Sequence, residues 1–133
     1  MDSTTAFIHY GTIALAVGIN SVGAGIGEGL TSSAALDAIN TQPSARSSIT
    51  RTAILGMALI ETAAILGVVV AMMLLIGATN VTNSYYMGLA EIGIALSICL
   101  SGLVLGIVSS FPAQAACHAI ARQPFFAQKI FRF

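Results

Sequence analysis

Apolar residues in this chain fall into three long runs divided by short polar breaks. The first runs from Phe7 to Ile39, the second from Ile49 to Ala78 and the third from Met87 to Phe111, with a helical tail predicted to reach Ile120. Each exceeds the roughly 20 residues that a bilayer-spanning helix needs, so the pattern predicts three transmembrane helices. The first two runs are longer than a hydrocarbon core, and their ends are expected to protrude into water. Between the first two lies Asn40-Thr41-Gln42-Pro43-Ser44. Pro43 has no N–H to give to a helix and its ring crowds the preceding turn, so the helix must break there. Between the second and third lies an uncharged stretch, Thr79 to Tyr86. Tyr85 and Tyr86 suit the interfacial aromatic belt of a membrane protein. Asn80-Val81-Thr82 has the form of a glycosylation acceptor, in a very short loop.

Composition agrees with the pattern. The 133 residues are 56% hydrophobic and only 8% charged, with a mean hydropathy of +0.91. Soluble domains carry about 25% charged residues, and a soluble core of this size cannot hide so much apolar surface. The formal net charge is zero, so no basic surplus exists to bind nucleic acid and that partner class is excluded. The start, Met1-Asp2-Ser3-Thr4-Thr5, lacks the positive region of a secretory signal, and the first apolar run is expected to be retained. The two cysteines, Cys99 and Cys117, have no partners at metal-ligand spacing and read as small packing residues.

Charge placement predicts orientation. Arg46, Arg51, Arg122, Lys129 and Arg132 all fall in the first loop or the tail. The positive-inside rule then places the N-terminus outside and the C-terminus in the cytoplasm. A bacterial inner (plasma) membrane is the expected location.

The chain also repeats itself at a shift of 81 residues. Ala34-Ala35-Leu36-Asp37-Ala38-Ile39-Asn40-Thr41-Gln42-Pro43 falls on Ala115-Ala116-Cys117-His118-Ala119-Ile120-Ala121-Arg122-Gln123-Pro124, Gly25-Ile26 on Gly106-Ile107, and Arg51 on Arg132. The organisation expected is a helical hairpin over residues 6–79, with its polar loop at 40–46, followed by a half repeat over 86–133.

Two features carry chemistry. Gly23-Ala24-Gly25-Ile26-Gly27-Glu28-Gly29 places Gly23 and Gly27 on one face of the first helix and Gly25 and Gly29 on another. Small residues four apart let helix backbones approach closely in lipid, so two such faces predict a neighbour on each side, as in a packed ring; a simple helix dimer is the alternative. Helix 3 has Val104, Val108 and Ser110 at the positions of Gly23, Gly27 and Gly29, and is not expected to repeat that tight packing.

The second feature is Glu61, which interrupts an otherwise uncharged run from Ala53 to Ala78. A carboxylate at bilayer depth is costly and marks an ion or proton path by default. Glu28 lies 15 residues before Pro43 and Glu61 18 after it, so a hairpin turning there puts both at similar depth, at about 1.5 Å of rise per residue. Two close carboxylates in a low dielectric cannot both stay ionised unpaired. They share a proton or hold a cation. Oxygen donors from Glu28, Glu61 and the Thr62 hydroxyl suit a hard cation such as Na⁺. Paired polar residues acting as helix glue is the plainer reading. His9, His118 and Glu91 are expected near the interfaces.

With these residues in hand, the chain resembles the c-subunit, the proteolipid of rotary ATP synthases. The resemblance rests on the glycine run 23–29, on Asn40-Thr41-Gln42-Pro43 where the family usually has Ala-Arg-Gln-Pro (present here as Ala121-Arg122-Gln123-Pro124), and on Glu61 midway along the second helix. It covers residues 8–78 as a full hairpin and 89–132 as a half repeat. It implies an all-α membrane protein forming a homo-oligomeric ring among membrane lipids. Such a ring is a non-catalytic rotor without a cofactor, whose transported ion is H⁺ or Na⁺. Its partners are the stator a-subunit and the central-stalk subunits. The resemblance further implies ion binding by Glu61 with Glu28 and Thr62, Na⁺ included. Ring packing falls to Gly23, Gly25, Gly27 and Gly29, and stalk contact to Thr41, Gln42 and Pro43. Two positions depart from sodium-binding rings, which often have Thr where Ala63 stands and Tyr where Leu66 stands. Alternative readings are a shortened V-type-like duplicated proteolipid, a small non-rotary channel or scaffold, and a degenerate copy.

Overall fold

The computed structural model describes residues 3–77 and 85–127. Within them the chain is helical almost throughout. Helix α1 spans Ser3–Thr41, α2 Arg46–Gly77, α3 Tyr85–Val108 and α4 Ser110–Arg122. Three segments are long and apolar enough to cross a membrane: Ser3–Thr41, Pro43–Gly77 and Gly88–Arg122. The third contains α3 and α4, which are one rod with a break at Ser109. Pro112 causes the break, because it cannot donate to the carbonyl four residues earlier, that of Val108. Ser109 keeps helical angles (φ −64°, ψ −17°) and its N–H still reaches the Leu105 carbonyl at 2.9 Å. The chain is an all-α membrane protein, a helical hairpin with a third spanning helix, as the apolar pattern predicts. The acceptor sequence Asn80-Val81-Thr82, Lys129 and Arg132 lie outside the described residues, as do the side chains of Tyr85 and Tyr86.

The break at Pro43 is where the sequence puts it. Gln42 leaves the helix (φ −138°, ψ 79°), since a residue before proline is pushed out of the α region. A 3₁₀ turn at Pro43–Ala45 then leads into α2. The same turn recurs 81 residues later. Gln123 has φ −139° and ψ 75°, and a 3₁₀ turn follows at Pro124–Phe126. Even the closing bonds match: the Gln42 N–H meets the Ala38 carbonyl at 3.0 Å, and that of Gln123 meets the Ala119 carbonyl at 3.0 Å.

Helix α1 is central and packs against α2, α3 and α4. Its contacts are made by small residues. Toward one end Ala35, Ala38, Ala45, Ile49, Cys117 and Ile120 form a buried cluster; toward the other, Ala16, Ala71 and Ala95 do so. In lipid no hydrophobic force separates helix from solvent, so close van der Waals packing of such residues carries the association.

Helix α3 lies parallel to α1 and touches it closely, contrary to the expectation from Val104 and Val108. A Cβ on Gly23 would stand 2.6 Å from the Leu103 Cα, and one on Gly106 2.5 Å from the Gly23 carbonyl carbon. A Cβ on Gly27 would meet the Gly106 carbonyl. The reason for the difference is that α3 does not use the positions equivalent to Gly23 and Gly27. It turns its own glycines, Gly102 and Gly106, to α1 and leaves the valines exposed.

Candidate functional site

Glu61 sits midway along the 32-residue α2. Ile60, its neighbour, is 1% exposed and anchors α2 on α1: its Cγ2 lies 3.1 Å from where a Cβ on Gly27 would be. Glu61, one residue on, is exposed on the outer side of the bundle, among exposed Leu59, Ile65 and Leu66. Glu28 follows Gly27 and is half-buried. The Gly27–Ile60 contact therefore puts Glu28 and Glu61 at one depth, as the hairpin arithmetic expects.

The structure does not join them into one shell. Among the described residues no hydrogen bond or ion pair links Glu28, Glu61 and Thr62, and no three His, Cys, Asp or Glu side chains converge. Thr62 is exposed and donates its hydroxyl to the Leu59 carbonyl at 2.6 Å, turning back on its own helix. Its lone pairs remain able to face a cation. Of the glycine run, Gly23 and Gly27 are occupied within the chain by α3, while Gly25 and Gly29 have nothing within 4 Å of where a Cβ would stand. Two glycine faces exist, as the spacing predicts, but the neighbour on one of them is the chain's own third helix. Thr41 and Pro43 are exposed and Gln42 half-buried; the Gln42 amide donates to the Ser44 hydroxyl at 2.9 Å. An open groove of about 660 Å³ runs between α2 and α4, lined by Leu55, Leu59 and Pro112 among others; neither Glu61 nor Glu28 lines it.

Two polar features go beyond what the sequence predicts. His9, expected at an interface, is 3% exposed. Its Nδ1 donates to the Glu91 carboxylate at 2.8 Å, tying α1 to α3, and its Nε2 is buried without a partner among the described residues. Nothing in the spacing marks this pair, because the two residues lie 82 apart. Asn20 is fully buried between Gly67 of α2 and Gly102 of α3, where any Cβ would collide with its carboxamide. Its Nδ2 donates to the Ala16 carbonyl at 3.3 Å. An isolated Gly67 and Gly102 opposite an Asn was the available signal.

Known proteins share these stretches of sequence. A family model described as the ATP synthase C-subunit matches residues 12–74. A protein named as ATP synthase c-subunit 2, from Cereibacter sphaeroides, is 48% identical over 62 residues, covering 47% of this chain and 75% of its own length. The ATP synthase c-subunit of Synechococcus elongatus is 41% identical over 75 residues, covering 56% of this chain and 93% of its own. That of Prochlorococcus marinus is 39% identical over 75 residues, with the same coverage. The matched segment contains the glycine run, the Gln42–Pro43 turn and Glu61, and the chain belongs to the ATP synthase C-subunit family.

Proposed function

We propose that this chain is a non-catalytic rotor subunit of a rotary ATP synthase, and that Glu61 carries the transported ion, H⁺ or Na⁺, coupling its flow to ATP synthesis or hydrolysis. The observation that carries this reading is the exposure of one carboxylate midway along an apolar helix, on the outer surface of the bundle. An ionised Glu61 in hydrocarbon is costly. It is stable there only when protonated, paired with a cation, or facing a charged or wet partner. Alternation between those conditions is what carries an ion. Glu28, at the same depth, and the Thr62 lone pairs supply the further oxygens that a hard cation prefers. The stator a-subunit is the partner for Glu61. The central stalk is the partner for Thr41, Gln42 and Pro43, with the N-terminus outside and the C-terminus cytoplasmic in a bacterial plasma membrane.

Carbodiimide treatment of membranes tests the reading, since such reagents attack a protonated carboxyl in an apolar setting. Glu61 should be the labelled residue, and Glu61→Gln should abolish both labelling and coupled ion transport. Na⁺ should slow labelling if Na⁺ is the ion, and acidification should speed it for either ion. Transport at the parental rate in Glu61→Gln membranes would overturn the proposal.

A further inference from the structure

We propose that the Ser32 hydroxyl belongs to the Glu61 site: it rests on the Met57 sulfur and turns to the Glu61 carboxylate when that side chain folds in against α1. Ser32 is then a positioning residue for the ion-carrying group. The proposal deepens the rotor reading and rests on Glu61 being the carboxylate that carries the ion.

The register of the hairpin places the groups. Along the core side of the α1–α2 seam, Thr31 meets Gly56, Gly27 meets Ile60 and Asn20 meets Gly67. Each step back along α1 is matched by an equal step forward along α2, so the two helices are antiparallel. Ser32 and Met57 lie one residue beyond the first of these pairs, on the flank of the seam, and both are half-buried. They touch there: the Ser32 hydroxyl donates to the Met57 Sδ at 3.2 Å. Glu28 and Glu61 lie one residue beyond the second pair in the same way. They are the next rung of that flank, one helical turn or about 6 Å from Ser32 and Met57.

Side-chain direction then separates the two carboxylates. A long side chain on a helix leans toward the helix N-terminus, over the preceding turn. On antiparallel helices those leans are opposite. Glu61 leans along α2 toward Met57, and so toward the Ser32 rung. Glu28 leans along α1 toward Ala24, away from that rung. Two carboxylates at one depth therefore make no bond to each other among the described residues. The polar group of α1 that lies in the direction of the Glu61 side chain is Ser32.

Ser32 is also an uncommitted donor. The hydroxyls of Thr12, Ser21, Thr31, Thr52 and Ser97 each return to a carbonyl four residues back in their own helix. Ser32 instead crosses to α2 and settles on a thioether, a weak acceptor. A carboxylate is a far stronger one, and hydrogen bonds to an ionised acceptor are about twice as strong as neutral ones. Met57 loses little by the exchange, since its flexible apolar side chain adapts and leaves no strong polar group unpaired. A donor turned to the charged form of Glu61 favours that form. Ser32 thereby sets how readily the carboxyl gives up its proton or takes a cation in its place.

Carbodiimide labelling of Glu61 in native membranes, followed against pH, tests this. Such reagents need the protonated carboxyl, so the midpoint of the labelling profile reads the balance between its two forms. Ser32→Ala should carry that midpoint upward by about one pH unit, a roughly tenfold faster reaction at any pH well above both midpoints. Ser32→Thr, which keeps the hydroxyl, should hold the parental midpoint. Met57→Leu, which removes only the resting acceptor, should not raise it. An unmoved midpoint in Ser32→Ala overturns the proposal. So does an equal rise in Met57→Leu, which would make Ser32 a packing partner of Met57 alone. Labelled Glu61 with a profile indifferent to Ser32 leaves the rotor reading standing and removes only this role. Absence of Glu61 labelling from the parental membranes removes both.

Discussion

Ile60 packs against Gly27, and that single contact sets the depth of the two residues that follow them, Glu61 and Glu28. Adding a side chain at Gly27 should therefore disturb more than packing. A Cβ there meets the Gly106 carbonyl as well as Ile60, and overpacking of a close helix contact costs about 1–3 kcal/mol. Gly27→Ala is expected to lower the thermal midpoint in detergent. Gly25→Ala, with open space around it, is expected to leave the midpoint of the isolated chain unchanged. Circular dichroism of the two variants checks the pair.

Asn20 and Gly102 should prove coupled. Gly102→Ala drives a methyl into the Asn20 carboxamide and is expected to destabilise α3 on α1. In an Asn20→Ala background the same substitution should cost much less. A double-mutant cycle by chemical unfolding should yield a coupling on the order of 0.5–3 kcal/mol; a value near zero would mean that α3 shifts freely to make room.

The His9–Glu91 bond ties the N-terminal ends of α1 and α3. Removing one partner of a buried hydrogen bond costs about 1–3 kcal/mol, because the other is left unsatisfied. His9→Ala is expected to fall in that range, and Glu91→Gln below it, since the carboxamide oxygen still accepts from Nδ1. Hydrogen exchange along α3 should show the loosening concentrated toward its N-terminal turns.

Glu61→Gln offers the contrast. The side chain is exposed and makes no bond to the rest of the chain among the described residues. Stability in detergent should stay within about 0.5 kcal/mol of the parent, while carbodiimide labelling is lost. A large drop in midpoint would assign Glu61 a packing role.

Most of the architecture was legible because it depends on short-range chemistry. Pro43 had to break the helix, and the Gln123–Pro124 copy had to break it again. Ile60 and Glu61 are adjacent, so if one faces α1 the other must turn away. What could not be read was which face α3 would offer. Aligning Val104 and Val108 with Gly23 and Gly27 assumed that equivalent positions do equivalent work, whereas the helices meet through non-equivalent ones. The buried His9–Glu91 pair was hidden for the same reason. Partnership across 82 residues depends on how α3 is rotated about its axis, and the apolar pattern of a nearly all-apolar helix does not fix that rotation.

The twin Gln–Pro turns bear on what one end of the bundle offers to a partner. Gln42–Pro43 and Gln123–Pro124 share one backbone shape and close the same end of α1 and α4. Their side chains differ: Asn40 and Thr41 precede the first, Ala121 and Arg122 the second. One backbone shape is thus presented twice at this end of the bundle, once with neutral and once with cationic company. Any partner that reads charge at this turn would find one foothold per chain rather than two, the same one-to-one ratio that holds for Glu61.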